Sequence, residues 1–208
     1  KIEKNALAKG VEPQAFVDEI AKKFLSLWEA MGISNDDFIR TTEHRHTQAV
    51  QKIFSTMLAK DDIYLSSYEG WYCVHEETFY TETQVGPEHV CPECGRPVEK
   101  ASESAYFYRC RKYADDLTKF FDEHPSFITP ESRKNEMVNN FIKPGLQDLC
   151  VSRTSFTWGV PVVEDPKHVV YVWLDALTNY ITALGYLQDN DEKFRYFWED
   201  PNTEIVHV

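Results

Sequence analysis

The chain has 208 residues, 42% of them apolar and 14% aromatic, enough for one large domain or a domain carrying an insertion. Its net charge of −12 excludes the broad basic footprint of a DNA-binding protein, and no DNA partner is expected. No uncharged stretch is long enough to cross a bilayer as a helix, so no membrane partner is expected either.

In chain order, residues 12–31 come first. Phe16, Ile20, Phe24, Leu27, Trp28 and Met31 keep one face apolar, Pro13 suits a first turn and Gly32 a stop, which predicts a helix. "FIRTT" (38–42) reads as a short strand, and 46–59 as a second helix striped by Val50, Ile53, Phe54, Met57 and Leu58. The histidines of "EHRH" (43–46) fall on different faces of a helix, so they read as a helix start and not as a metal pair. From Asp62 to Tyr108 the texture is strand-rich and punctuated by Gly70, Gly86, Pro87, Pro92, Gly95 and Pro97, which predicts a small β module inserted between helical segments. Helices are predicted again at 112–123 and 130–142.

"LCVSR" and "WGVPVV" then read as strands, 168–173 as a buried strand, 175–187 as a helix and "EIVHV" (204–208) as another buried strand. Both ends read as cut, so the chain is expected to be the interior of a longer one. Nearly continuous apolar strands separated by helices predict an α/β fold with a parallel sheet. Such sheets present ligands at the carboxyl ends of their strands, where Trp173 sits.

Five cysteines, an odd number with one C-x-x-C, fit a reducing cytoplasm better than a disulfide framework. Cys91-Pro-Glu-Cys94-Gly is a knuckle of the kind that supplies half of a tetrahedral zinc site. Upstream, Cys73 begins the partner pair, but Glu76 stands where the second cysteine belongs, and His75 is adjacent. Three thiols are therefore available, with His75 or Glu76 open as fourth ligand. A structural zinc and a module that folds without metal both remain open. Cys110 and Cys150 read as buried thiols.

"GWYCVHEETFYTE", "CPECGRPVE", "RKNEMVNNFIKPGLQDLCVSR", "WGVPV" and "YVWLDALTNYI" together resemble the methionyl-tRNA synthetase family, in its bacterial forms above all. The resemblance is collinear over the whole chain and strongest over 133–183. It implies a Rossmann-type class I catalytic domain over 1–61, a connective insertion with the cysteine knuckle over 62–128, and a return to the catalytic domain over 129–208. It implies activation of methionine with ATP and Mg2+, then transfer to tRNA(Met). The two nucleotide-binding signatures of the class, His-Ile-Gly-His and Lys-Met-Ser-Lys-Ser, are absent from these residues. This central segment is therefore expected to be inactive alone.

The resemblance assigns Trp173, Ala176, Leu177 and Tyr180 to the methionine pocket, Leu177 standing where some members carry proline. Aromatic walls suit a thioether, because sulfur packs well on ring edges. The residues alone allow a plain core reading of the same side chains. Arg153 is the expected catalytic residue: a guanidinium can clamp a carboxylate or a phosphate bidentately and keeps its charge. The other reading of Arg153 is an ordinary ion pair. Asp175 reads as a helix-start carboxylate favoured by the helix dipole. Arg109, Arg111 and Lys112, with Arg133 and Lys134, are local clusters that suit tRNA phosphates or a solvated face. Two other functions stay open: a non-catalytic synthetase-like binding module, and a class I synthetase for another aliphatic amino acid.

Overall fold

The structure is a computed structural model that describes residues 2–76, 78–171 and 173–206. The first helices are α1 (Ile2–Lys9), α2 (Pro13–Ala30) and α3 (His44–Ala59). Pro13 opens α2, and the amides of Gly32 and Ile33 close it on the carbonyls of Glu29 and Trp28. Gly32 takes a positive φ of 66° there, which a side chain would resist. The apolar stripe of α2 is real but mostly uncovered: Phe16 is buried, whereas Phe24, Leu27 and Met31 are exposed.

Residues 38–42 are not the expected strand but a loop. Their bonding capacity is taken locally. The Arg40 amide donates to the Glu43 carboxylate, the Arg40 guanidinium pairs with Asp18 at 2.6 Å, and Phe38 sits edge-on against Trp28.

The β module is real. Strands β1 (Ile63–Cys73), β2 (Thr78–Tyr80), β3 (Glu99–Tyr108) and β4 (Leu149–Cys150) form one sheet in the order β2-β1-β3-β4. β1 and β3 pair from Ile63↔Tyr108 to Tyr72↔Glu99. The short α4 (Glu82–Val85), between β2 and the knuckle, carries a capping box from Thr81 to Gln84. A 3-10 turn at Cys110–Tyr113 leads into α5 (Ala114–Glu123), and α6 (Glu131–Met137) ends in a wider π turn at Val138–Ile142.

Strands β5 (Ser152–Arg153) and β6 (Val169–Val170) form a second, two-stranded ladder. They are followed by α7 (Trp173–Leu177), α8 (Asn179–Thr182), α9 (Glu192–Phe194) and a π turn at Arg195–Glu199.

Every ladder among the described residues is antiparallel, so the expected parallel sheet is not found in them. The chain folds back on itself from β1 to β2 and from β5 to β6, and although α5 and α6 lie between β3 and β4, that pair too runs antiparallel. "WGVPVV" makes only an isolated bridge among the described residues, Pro161↔Val169, flanked by the Val162 amide on the His168 carbonyl and the Val170 amide on the Val160 carbonyl. The chains still touch closely: a Cβ on Gly159 would lie 3.3 Å from Val169 Cβ.

The buried strand expected over 168–173 is only two residues long, and Trp173 already belongs to α7. Val172 lies outside the described residues, as do His207 and Val208 of "EIVHV". Residues 203–206 run without a strand partner, with Ile205 and Val206 exposed, against the buried strand expected there. An apolar run becomes a strand only where another edge offers its amides and carbonyls.

Two apolar clusters organise the described residues. Val50, Phe54, Ile63, Tyr106, Val151, Val160, Val162 and Val170 form the larger. Cys73, Tyr80, Val85, Cys91 and Val98 form the smaller, at the far end of the same β1–β3 hairpin. No helix among the described residues is long and apolar enough to cross a membrane.

Candidate functional site

β6 ends at Val170, and the chain turns into α7 within three residues. That turn delivers Trp173 and Leu177 to one open, apolar cleft of about 400 Å³, with Met57, Tyr108, Ile181 and Trp198 also on its walls. Trp173 is 62% exposed and Leu177 52%. Leu174, between them, lines the same cleft and also packs on the larger core. Ala176 and Tyr180 do not line this cleft. The four residues assigned to a methionine pocket are thus neighbours on α7 and α8, and two of them line this cleft. Leu177, the loosest match in sequence, is one of those two.

Arg153 stands apart from the cleft, on β5 and 3% exposed. Its Nε donates to Glu103 at 2.8 Å and its Nη2 to Ser155 Oγ at 3.2 Å. Its guanidinium carbon lies 5.1–5.3 Å from the ring centroids of Tyr72, Phe79 and Tyr171, an aromatic cage that favours a cation. Glu103 also accepts the amides of Thr154 and Ser155. Burial pushes the Glu103 carboxyl up, but the Thr154 amide and the Arg153 charge outweigh it, and the group sits below the ordinary carboxylate range. The arrangement is a buried ion pair inside an aromatic cage, the other reading of Arg153. Glu103 was not singled out in the sequence, although its place on the Ala101–Ala105 face of an alternating strand was a signal.

The knuckle thiols do come together. Cys73, Cys91 and Cys94 offer Sγ atoms within 4.8 Å of one another, and His75, Glu76 and Cys94 form a second such group. Cys73 and Cys94 Sγ are 3.6 Å apart. Tetrahedral zinc with Zn–S of about 2.3 Å needs sulfurs about 3.8 Å apart, so this donor set fits the metal. Burial pushes the Cys91 thiol up, but the Tyr80 hydroxyl and the amides of Cys94 and Glu93 bring it down to about 7. His75 Nδ1 lies 2.6 Å from Glu76 Oε1, so the two candidate fourth ligands engage each other. Cys110 and Cys150 are half-buried and free of disulfides, close to expectation.

Four of the five cations in the basic clusters have carboxylate partners. Arg109 pairs with Asp61 at 3.0 Å, Arg111 with Asp148 at 2.9 Å and Lys112 with Asp62 at 2.5 Å. Arg133 pairs with Glu136, and Lys134 donates to the Phe121 carbonyl. These cations favour the solvated-face reading over a phosphate path.

Of two buried histidines, His168 was not singled out in the sequence and His46 was read only as part of a helix start. His168 Nδ1 lies 2.9 Å from Ser152 Oγ and Nε2 lies 3.6 Å from Asp165 Oδ2, a serine–histidine–aspartate row. Ser152 is fully buried and its Oγ accepts the Tyr106 amide, so the row is structural. His46, fully buried, reaches Asp175 Oδ1 at 2.7 Å and Thr182 Oγ1 at 3.2 Å. Its signal was position: four residues before Val50, it lies on the apolar stripe of α3. Asp175 does sit in the first turn of α7, and the histidine adds a partner to that expected role.

The model of the family described as tRNA synthetases class I (M) matches residues 1–103 and 94–208. The chain is 59% identical to the methionine--tRNA ligase of Halalkalibacterium halodurans, over 95% of this chain and 32% of that protein. It is 54% identical to that of Bacillus subtilis, over 95% and 31%. The solved Mycobacterium tuberculosis methionyl-tRNA synthetase in complex with methionyl-adenylate superposes with a TM-score of 0.83, at 42% identity, over 95% of this chain and 39% of that one. The chain spans about a third of the length of the curated relatives it matches.

Proposed function

We propose, from the family to which this chain belongs, the class I tRNA synthetases of the methionine type, that the protein activates methionine with ATP and charges tRNA(Met). The observation that carries the reading is the apolar cleft beside Trp173 and Leu177, in a chain 59% identical to a relative named methionine--tRNA ligase. In the first step a methionine carboxylate oxygen attacks the α-phosphorus of ATP. The bond to the β-phosphate oxygen breaks, giving methionyl-adenylate and pyrophosphate. In the second, a ribose hydroxyl of the tRNA terminal adenosine takes the methionyl group and releases AMP. Mg2+, bound with ATP, would neutralise triphosphate charge.

In this reading the thioether enters the cleft, where Trp173 and Leu177 supply apolar walls and Trp173 a ring edge for sulfur. Ala176 and Tyr180, on the same two short helices but outside the cleft lining, would meet the amino acid from beside it. Arg153 acts as a fixed positive charge for the anionic reactants, oriented by Glu103, because activation depends on positioning and charge stabilisation more than on proton transfer. Residues 62–128 form a connective insertion between two parts of a Rossmann-type catalytic domain, 1–61 and 129–208. The separate apolar cluster at the outer end of the β1–β3 hairpin supports that division. Cys73, Cys91 and Cys94, with Glu76 or His75, would hold zinc as a structural cross-link. A cytoplasmic location accords with five unpaired cysteines.

The test is amino-acid-dependent ATP–pyrophosphate exchange by the natural-length protein. Exchange is expected with methionine and not with leucine or valine, and Trp173→Ala is expected to raise the methionine KM about tenfold or more. A preference for leucine or valine, no exchange at all, or an unchanged KM in Trp173→Ala would overturn the corresponding part of the reading.

A further inference from the structure

His46 is fully buried, yet both of its ring nitrogens have partners, and those partners lie on the two helices that follow β6. Nε2 faces Asp175 Oδ1 at 2.7 Å, in the first turn of α7, between Trp173 and Ala176. Nδ1 faces Thr182 Oγ1 at 3.2 Å, at the end of α8, two residues beyond Tyr180. α7 and α8 are short, five and four residues, and neither could hold its shape alone. Something outside them must set their angle, and α3 is a continuous sixteen-residue helix anchored in the larger core through Val50 and Phe54.

The hydrogen-bond accounting fixes the roles. An ionised Asp175 only accepts, so Nε2 carries the proton in that bond. Thr182 has one hydroxyl proton, and Oγ1 lies 3.2 Å from the carbonyls of both Thr178 and Asn179 as well as 3.2 Å from His46 Nδ1. With neutral imidazole the hydroxyl donates to Nδ1. With imidazolium, Nδ1 donates to the hydroxyl, which then donates to a helix carbonyl. Both states leave no ring nitrogen unsatisfied, so the clamp does not depend on the charge of His46.

We propose that His46 is a positioning residue for the amino-acid pocket: it clamps Asp175 and Thr182 and thereby sets α7 and α8 at the angle that presents Trp173, Leu177 and Tyr180. The proposal rests on the methionine-activation reading for its kinetic arm only. A residue that merely stabilised the fold would change how much enzyme is active and leave both Michaelis constants alone. A residue that sets the pocket wall changes the constant for the amino acid and spares that for ATP.

The experiment uses the natural-length protein with His46→Ala, His46→Gln and Thr182→Val. Loss of a buried hydrogen bond to a charged group is worth about tenfold in an equilibrium. His46→Ala is therefore expected to raise the methionine KM about tenfold, with the ATP KM within about twofold of the parent. His46→Gln keeps an N–H donor for Asp175 and is expected to recover most of that loss. Thr182→Val is nearly isosteric and tests the Nδ1 side if His46→Ala does not fold; a rise of about threefold is expected.

Hydrogen exchange supplies a second readout that needs no activity. Amides of 177–184 in His46→Ala are expected to exchange about tenfold faster, with β1 and β3 unchanged. Unchanged exchange in 177–184, or equal rises in both Michaelis constants, would overturn the proposal. Faster exchange in 177–184, with a parent protein that shows no methionine-dependent exchange of pyrophosphate, would keep the clamp and overturn the functional reading instead.

Discussion

Replacing Glu103 by alanine isolates the buried cation. Glu103 is the carboxylate partner of Arg153, whose side chain is 4% exposed in the pair. Breaking a buried pair from one side costs about 3–5 kcal/mol, because the remaining charge is left uncompensated. The rings of Tyr72, Phe79 and Tyr171 still face the guanidinium and partly offset its isolation. The amides of Thr154 and Ser155 lie on exposed residues, where water replaces Glu103 as acceptor. Both arguments point to the lower end, about 3 kcal/mol.

That corresponds to opening of β3 about a hundredfold more often, read by native-state hydrogen exchange at Ala105 and Tyr106 in the natural-length protein. The double variant Glu103→Leu with Arg153→Met removes both charges and is expected to lose less than Glu103→Ala alone. The sign of the pH dependence is also set. The folded carboxyl titrates below its ordinary value of 4.5, so its contribution is full above about 4.5 and falls away as pH drops through the lower folded value. A loss under about 1 kcal/mol for Glu103→Ala, or a double variant as damaged as the sum of the singles, would refute the buried-pair reasoning.

Elemental analysis of the natural-length protein is expected to find about one zinc per chain at the knuckle, and Cys94→Ser to lower that content; a folded, metal-free protein would favour the metal-independent module. Asp148 accepts from the Tyr64 hydroxyl at 2.9 Å and from Arg111, and its side chain is 6% exposed. Burial raises its carboxyl, but Arg111 and Tyr64 outweigh that and hold it below the usual 3.8, so its contribution is present above about 3.8 and lost as pH falls further. Asp148→Asn is expected to weaken β4 and to flatten that acid limb in a pH series of exchange rates; an unchanged acid limb would contradict it.

The helices and the β module were legible because their signals are local. The 3.6-residue stripe of α3 and the punctuated strand run after Asp62 each announce one element. The strands after Cys150 were legible only as apolar runs. Val169 and Val170 are buried as such a run predicts, yet what they pair with is decided by β5, seventeen residues earlier in chain order, and not by their own composition. Pairing direction is a property of two segments, which is why a parallel sheet was inferred where antiparallel ladders stand.

The site divides along the same line. Trp173 and Leu177 were picked out by family resemblance, while their spacing alone allowed a core reading; both project from one short turn of helix into one cleft. The partners that hold the site in shape could not. Glu103 meets Arg153 across fifty residues, and His46 meets Asp175 across 129. Each carries only a weak local mark, a charge on the inward face of a strand or an imidazole on an apolar stripe. That mark says a buried polar group needs a partner, because leaving it unpaired costs about 1–3 kcal/mol or more. It does not say which partner. The productive rule for this chain is to treat every polar residue on an apolar face as half of a pair and to search for the other half around β5 and the turn into α7. Applied to "HRHTQAV" and "ASESAYFY", it marks His46 and Glu103 as the residues on which the orientation of α7 and the burial of Arg153 depend.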